Sequence, residues 1–464
     1  MIVNKGMFRQ FMFGDTIVSS EPLSADEAGK LISKGKGFRD RGSIPSQDEI
    51  LEVFSRLSKA WADPVYRGRQ EAVEALSKSS DLSSEFIKAV LGEFANLLAP
   101  EYLLNKLEGE LGNARIQNRL VAQKSDGISL IVQPAGQILH IASGNVFLAC
   151  VESLIDGIIT RNINYLKMST DDREFPVIFA KSIKEFDPKG VVSGRLAVLW
   201  WRGGDEAVEK IFKQEMDRIV FWGGGEALRS WEKGLSESAV LVKHGPKVSF
   251  GVVSSGGLTS LTSEELQGLT DKIALDIAIW EQKACNCPQT IFLEESAPAG
   301  AAKRFVDSLS ASLKNINSVF PPGRRSDDEC VEILKTRELA VAKHLVTGDP
   351  VSVIGPKTFD WTIIFEEKGG RGEFELSPLC RTIIIKRYSS LDALSDSLKG
   401  YSSYLQTIGY CLDKPEVSEY AVKLSSLGVT RLCPFGIMAI PQPGTPHDGT
   451  FALRDLTRFT VVES

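Results

Sequence analysis

Histidine is scarce in this 464-residue chain: four, His140, His244, His344 and His447. None stands at ligand spacing from a cysteine, so local zinc-binding patterns are excluded, and no metal is expected. Cysteine is sparse as well. The seven are Cys150, Cys285, Cys287, Cys330, Cys380, Cys411 and Cys433. An odd number at irregular spacing argues against a disulfide framework and fits a reducing compartment. No apolar run reaches the ~18 residues of a membrane span. The closest stretch, 138–159, is broken by Asn145, Glu152 and Asp156. The start lacks a secretory pattern. A cytoplasmic location is therefore expected. A formal charge of −6 gives no reason to expect a nucleic-acid partner. Neither internal repeats nor low-complexity segments occur.

What is present is an ordinary globular composition, 43% hydrophobic and 25% charged, on a length that suits more than one domain. Residues 1–125 read, after an irregular start, as a mostly helical segment, packed on the domain that follows. Ser46 and Glu49 form a capping box ahead of Ile50, Val53, Phe54, Leu57 and Trp61. From 126 to 254, strand-like runs at 128–133, 137–142, 163–168, 195–201, 217–222, 238–243 and 248–253 alternate with helical stretches. The helices fall at about 146–159, 175–185, 205–215 and 225–234. That alternation predicts an α/β fold with a doubly wound parallel sheet that holds a nucleotide. A second α/β domain is expected over 255–430, and a strand-rich tail over 431–464.

Three segments of the first α/β unit carry possible chemistry. Asn145 stands just before a helix, where it fits an N-cap. Its amide also fits a donor to a developing oxyanion, a contact worth about 3 kcal/mol in a transition state. Lys167 ends a strand, followed by Met168, Ser169 and Thr170. It reads either as a solvated lysine or as a contact to ribose or phosphate. Trp222 leads into Gly223, Gly224 and Gly225 at a strand-to-helix turn. Glycine there is often only structural, yet it allows close backbone approach to a phosphate. The spacing is not the dinucleotide fingerprint G-x-G-x-x-G.

The most telling segment follows a second capping box, Thr262 with Glu265. Leu266, Leu269, Ile273, Ile277 and Trp280 then repeat on one face. Next come Gln282, Cys285, Cys287, Pro288 and Gln289, then apolar β-formers. A thiol at such a junction can attack a carbonyl and split acyl transfer into two easier steps. Cysteine is also a common buried residue. Cys287 is the rival nucleophile.

Taken in order, these segments resemble the aldehyde dehydrogenase superfamily. Within it, the chain looks most like the LuxC-type acyl-CoA reductases. The marks are Gly144-Asn145-Val146, Gln282-x-Ala284-Cys285-x-x-Pro288-Gln289, Pro378-Leu379-x-Arg381-Thr382-Ile383 and Pro446-His447-Asp448-Gly449. The likeness runs from about residue 120 onward. It implies an aldehyde dehydrogenase-like fold with Cys285 as the acylated nucleophile. Asn145 would complete the oxyanion hole with the backbone N–H of Cys285. Lys167, Ser169 and Thr170 would hold the adenosine ribose or its phosphate. Gly223 to Gly225 would pass under the pyrophosphate, with Trp222 packing close by.

Aldehyde-oxidising members carry a general-base Glu in a Glu-Leu-Gly-Gly segment. Here the stretch reads Lys243-His244-Gly245-Pro246-Lys247, without a carboxylate. Water attack on an acyl-enzyme should then be slow. A thiol needs less activation. The resemblance therefore implies reduction of an acyl thioester, with coenzyme A or a carrier thiol leaving. Thr170 stands where NAD-preferring members often carry Glu, which favours NADPH, with NADH as the alternative; Asp171 and Asp172 weigh the other way. Neither Glu373 nor Glu375 can be assigned the usual ribose contact. The Pro-rich loop at His447 reads as an Asx-type turn or as an aid to substrate, so His447 stays outside the catalytic set. The expected acyl group is a medium or long fatty chain. The expected partners are an acyl-protein synthetase and further copies of the chain. Open alternatives are an acylating reductase for aryl thioesters or acyl phosphates, and a non-catalytic scaffold.

Overall fold

The structure is a computed structural model that describes residues 7–41, 44–123, 127–170, 172, 174–370 and 373–463. The chain forms two compact units. One comprises 1–80, 87–245 and 442–464; the other comprises 81–86 and 246–441. The 431–464 tail is thus divided between them. Among the described residues, no helix is long and apolar enough to cross a membrane.

The first unit is built on a seven-stranded sheet. Its order is Asp15–Ser19, Phe8–Met12, Leu196–Leu199, Ile163–Lys167, Gln137–Ile141, Arg218–Trp222 and Val240–His244. The last five strands are parallel. All residues of Gln137–Ile141 are buried, as a strand covered on both faces requires. Chain order reverses about this strand: its neighbours are the strand after it on one side and Arg218–Trp222 on the other. Ligands of open α/β sheets bind at such a reversal, beyond the carboxyl ends of the strands.

Two features depart from the sequence reading. The start of the first quarter, expected to be irregular ahead of the helices, is a pair of strands. Phe8–Met12 and Asp15–Ser19 form a hairpin that joins the sheet antiparallel to Leu196–Leu199. Phe13 and Gly14, at φ 51° and 100°, make its two-residue turn. The strand Ile128–Pro134 is not in the parallel sheet. It lies between Thr457–Glu463 and Val121–Ala122 in a separate antiparallel sheet.

The predicted helices Gln47–Ala62 and Ser84–Leu97 form, and the Ser46/Glu49 capping box is present. Trp61 is fully buried, edge-on to Phe94 and Phe175. Its indole N–H donates to Ser182 Oγ at 3.1 Å, so the ring is buried with its polar edge satisfied.

The second unit also has a seven-stranded sheet. Its order is Val351–Ile354, Thr362–Gly370, Thr382–Tyr388, Pro288–Glu294, Val248–Val253, Leu405–Cys411 and Arg431–Pro434. Val248–Val253, expected at the end of the first α/β domain, is a central strand here. Both neighbours of that strand lie far downstream, which local pattern could not reveal. Helix Ser263–Ala278 carries the Thr262/Glu265 capping box. Its Ile273, Ala274 and Ile277 pack with Phe305, Leu309 and Leu313 of helix Ala299–Val319. The helical phase stops before Trp280, which belongs to the turn that follows.

Candidate functional site

Beyond Ala278 the backbone turns left-handed for three residues. Trp280, Glu281 and Gln282 have φ of 54°, 51° and 62°. Each costs about 1–2 kcal/mol for a side-chain-bearing residue, so neighbours must hold it. A second left-handed triplet does so: Leu379, Cys380 and Arg381, at φ 67°, 52° and 61°. The Cys380 N–H donates to Glu281 O at 3.0 Å. Arg381 Nε and Nη2 both donate to Glu281 Oε1, at 3.0 and 2.5 Å. The Gln282 side chain closes the junction. Its Oε1 accepts from Thr382 N at 2.8 Å, and its Nε2 donates to Thr382 O and Pro288 O at 3.0 and 2.9 Å. Glu281 and Arg381 are 5% and 1% exposed, so this is a buried pair bonded through Glu281 Oε1, with Arg325 3.6 Å from Oε2.

Cys285 emerges from this clamp half-buried. Its carbonyl accepts from Ser249 Oγ at 2.8 Å, and that hydroxyl accepts from Thr407 N at 3.0 Å. Gln406 Nε2 lies 3.4 Å from the Cys285 sulfur, so an amide donor faces the thiol. Cys287 differs in every respect. It is 1% exposed and its Sγ faces Ile279 O at 3.4 Å. Burial pushes its thiol well above the ordinary range, an environment in which a thiolate is disfavoured.

In the first unit, Asn145 is exposed in the bend before helix Phe147–Ile159. The N-cap is Val146, which makes no side-chain cap bond, so Asn145 stands one residue outside the cap. Lys167 ends its strand half-buried, its Nζ 5.5 Å from the centre of the Trp201 ring. Burial lowers its pKa, partly offset by Glu209. Ser169 is buried and accepts from Asp172 N at 3.0 Å, whereas Thr170 is exposed. Asp172 is 6% exposed, and burial raises its carboxyl to about 7. Asp171 lies outside the described residues.

Gly223 and Gly225 take φ of 145° and 62°, values that favour glycine. The helix after them spans Gly225–Trp231, shorter than predicted. Lys167, Asn145 and the glycine turn all follow the carboxyl ends of adjacent parallel strands, on both sides of the chain reversal. That arrangement fits a dinucleotide: a cation and hydroxyls on one side, glycine backbone open to close approach on the other. Glu375 ion-pairs with Lys386 at 2.8 Å, and Glu373 is exposed.

Sequence reading missed one cluster altogether. Trp222 stacks on His244 with ring centres 4.0 Å apart. His244 Nδ1 lies 3.3 Å from Asp448 Oδ2, across 204 residues of chain. His447, read from sequence as either an Asx-type turn or an aid to substrate, sits beside them in a hairpin. His447 and Thr450 exchange two backbone hydrogen bonds, at 2.8 and 2.9 Å. Asp448 and Gly449, at φ 51° and 83°, form a two-residue hairpin turn between them. The Asp-Gly pair signals the turn, but nothing local signals the approach of His244.

Comparison with known proteins identifies the fold and the family. The family described as "Acyl-CoA reductase (LuxC)" matches residues 44–459. A relative from Vibrio harveyi, named long-chain acyl-protein thioester reductase, is 25% identical over 420 residues, 90% of this chain and 82% of that one. One of the same name from Aliivibrio fischeri is 22% identical, with 100% of this chain and 92% of the other covered. Aldehyde dehydrogenase 21 from Physcomitrella patens superposes with a TM-score of 0.72 at 11% identity, covering 98% of this chain and 97% of that one. Glyceraldehyde-3-phosphate dehydrogenase from Methanocaldococcus jannaschii, solved with NADP, gives 0.68 at 14% identity and 99% of both chains. The fold is that of the aldehyde dehydrogenases, and the chain belongs to the LuxC family of acyl-CoA reductases.

Proposed function

We propose that this protein reduces a fatty acyl thioester to the aldehyde through a thioester on Cys285. The single observation that carries the assignment is the environment of that thiol: half-buried, on an anchored backbone, facing an amide donor. Its neighbour Cys287 has the opposite environment. The Cys285 thiolate attacks the acyl carbonyl and the donor thiol departs. Asn145 takes the oxyanion-donor role on the strength of the family resemblance. Lys167, Ser169, Thr170, Trp222 and Gly223 to Gly225 would hold a nicotinamide cofactor, which would supply the hydride that converts the enzyme thioester to the aldehyde and restores the Cys285 thiolate. NADPH is preferred, because exposed Thr170 brings a hydroxyl and no repelling charge.

The absence of a carboxylate in Lys243–Lys247 supports thioester chemistry over hydrolysis. His244 occupies that stretch, engaged with Asp448, and Lys243 pairs with Glu232 at 3.1 Å. The relatives' name points to an acyl-protein donor, the family's name to acyl-CoA, and an acyl-protein synthetase is the partner that would supply the former.

Incubation with tetradecanoyl-CoA without NADPH, followed by intact-mass measurement and peptide mapping, tests the reading. One acyl adduct on Cys285, discharged by NADPH, is expected. An adduct on Cys287 moves the site. Absence of an adduct with this and with shorter, aryl and carrier-bound thioesters overturns the reaction.

A further inference from the structure

In the His244, Asp448 and His447 cluster one carboxylate oxygen is shared between two imidazoles, at long range to both. Asp448 Oδ2 lies 3.3 Å from Nδ1 of each histidine. Good N–H···O bonds to carboxylate are shorter, about 2.7–2.9 Å. The His447 Nδ1 atom is buried and has no hydrogen-bond partner. Two separations of 3.3 Å have another meaning. Zinc bonds to imidazole nitrogen and carboxylate oxygen are about 2.0–2.2 Å, which sets neighbouring ligands of a tetrahedron roughly 3.3–3.5 Å apart. The three ligand atoms all lie within 4.8 Å of one another, so a small swing of the His447 ring completes the face.

We infer that His244, His447 and Asp448 form a binding site for one divalent transition-metal ion, zinc foremost. Two imidazoles and a carboxylate suit a borderline-soft cation better than magnesium or calcium. The surroundings favour positive charge. Besides Asp448, Asp455 acts on His244 and Glu152 acts on His447. Of the cations facing them, Lys106 is held by Glu110 at 2.9 Å and Asp156 at 3.4 Å, and Arg218 lies beside Asp455.

The ligands are also held before the ion arrives. Trp222 stacks on His244 at 16° between planes and meets His447 edge-on. The hairpin turn fixes Asp448 beside His447. The His447 side chain is 34% exposed, which leaves a path for the ion and room for a fourth ligand from solvent. A bound ion would tie the hairpin to the strand end Val240–His244, next to the strand that leads into the glycine turn.

The test uses full-length protein stripped with a chelator, then titrated with Zn²⁺ by calorimetry and with Co²⁺ by absorption. One equivalent per chain is expected. The Co²⁺ spectrum should show intense tetrahedral d–d bands and no near-ultraviolet charge transfer from thiolate, since no cysteine belongs to the site. Asp448→Asn is the discriminating variant, because asparagine tolerates the left-handed backbone there and keeps the turn. It and His447→Ala should weaken binding by more than the roughly 10–100-fold that loss of an outer-shell partner costs. Circular dichroism of both variants shows whether the fold is kept. Absence of stoichiometric binding overturns the inference. So does a thiolate spectrum, or binding that a folded Asp448→Asn variant leaves unchanged.

Discussion

Residues with a local signature were legible. Cys285 was singled out because a capped helix, a Gln-x-x-Cys run and a β segment are contiguous. The family resemblance favours Cys285 over Cys287; the burial that sets Cys287 apart depends on the packing of Ile279 and its surroundings. Asn145 shows the same division. Its position before a helix was read correctly, but the cap passed to Val146. Asn145→Ala should therefore leave helix stability nearly unchanged and lower kcat about 100–1000-fold, as loss of an oxyanion donor does. Single-turnover measurement of acyl transfer, alongside thermal unfolding, checks both halves.

Asp172 gives a prediction in pH. Its Oδ2 is buried without a partner, and burial raises its pKa to about 7. In the unfolded chain an aspartate titrates near pH 4. Between those values the folded state holds the extra proton, so stability falls as pH rises through this window. The contribution is fully present below about pH 4 and lost above about pH 7. Asp172→Asn keeps an acceptor for the Phe175 N–H, which lies 3.2 Å from Oδ1. Chemical unfolding at a series of pH values should show a flatter dependence in this variant over that window.

At the scale of elements, the two helices placed from their capping boxes, Gln47–Ala62 and Ser263–Ala278, form there, since a cap and its periodic face lie within one local stretch. Asp327–Thr347 and Lys414–Ser425 also carry capping boxes and were not placed. Neither were the paired left-handed triplets. Nothing in Trp280–Gln282 announces positive φ, and its support comes from residues about one hundred positions away. Breaking a buried ion pair by removing one partner costs about 3–5 kcal/mol. Arg381→Met should destabilise by that amount in urea unfolding. Adding Glu281→Met removes the uncompensated carboxylate and should recover part of it, but only part, because Arg325 loses its contact to Glu281 at 3.6 Å. Stability should recover without kcat, since the double variant no longer clamps the turn that presents Cys285. Equal recovery of kcat would assign the pair to stability alone.

On the scale of the whole molecule, the two units have separate cores. Trp61 belongs to the first, packed among Phe94, Phe175 and Phe179. Trp61→Ala should cost about 3–5 kcal/mol, cavity and transfer terms together. Calorimetry should register the loss as a separated, earlier transition, with the second unit's transition in place. A uniform downward shift of a single transition would show instead that the units unfold together.

The sequence by itself determined what lies within reach of one turn or one strand. It settled the alternation of strands and helices, the capped helix ahead of Cys285, the strand-end Lys167, the glycine turn and the missing carboxylate at Lys243–Lys247. From the order of those motifs it also settled the family. Only the tertiary structure decided that Phe8–Met12 extends the first sheet, that Val248–Val253 is central to the second, and that Ile128–Pro134 pairs with Thr457–Glu463. It alone set Arg381 on Glu281 and brought His244 to Asp448. The reason is physical. Helix and turn signals arise from hydrogen bonds between near neighbours in the chain. Strand pairing and buried polar contacts form between segments whose separation carries no local signal, and packing alone selects among them.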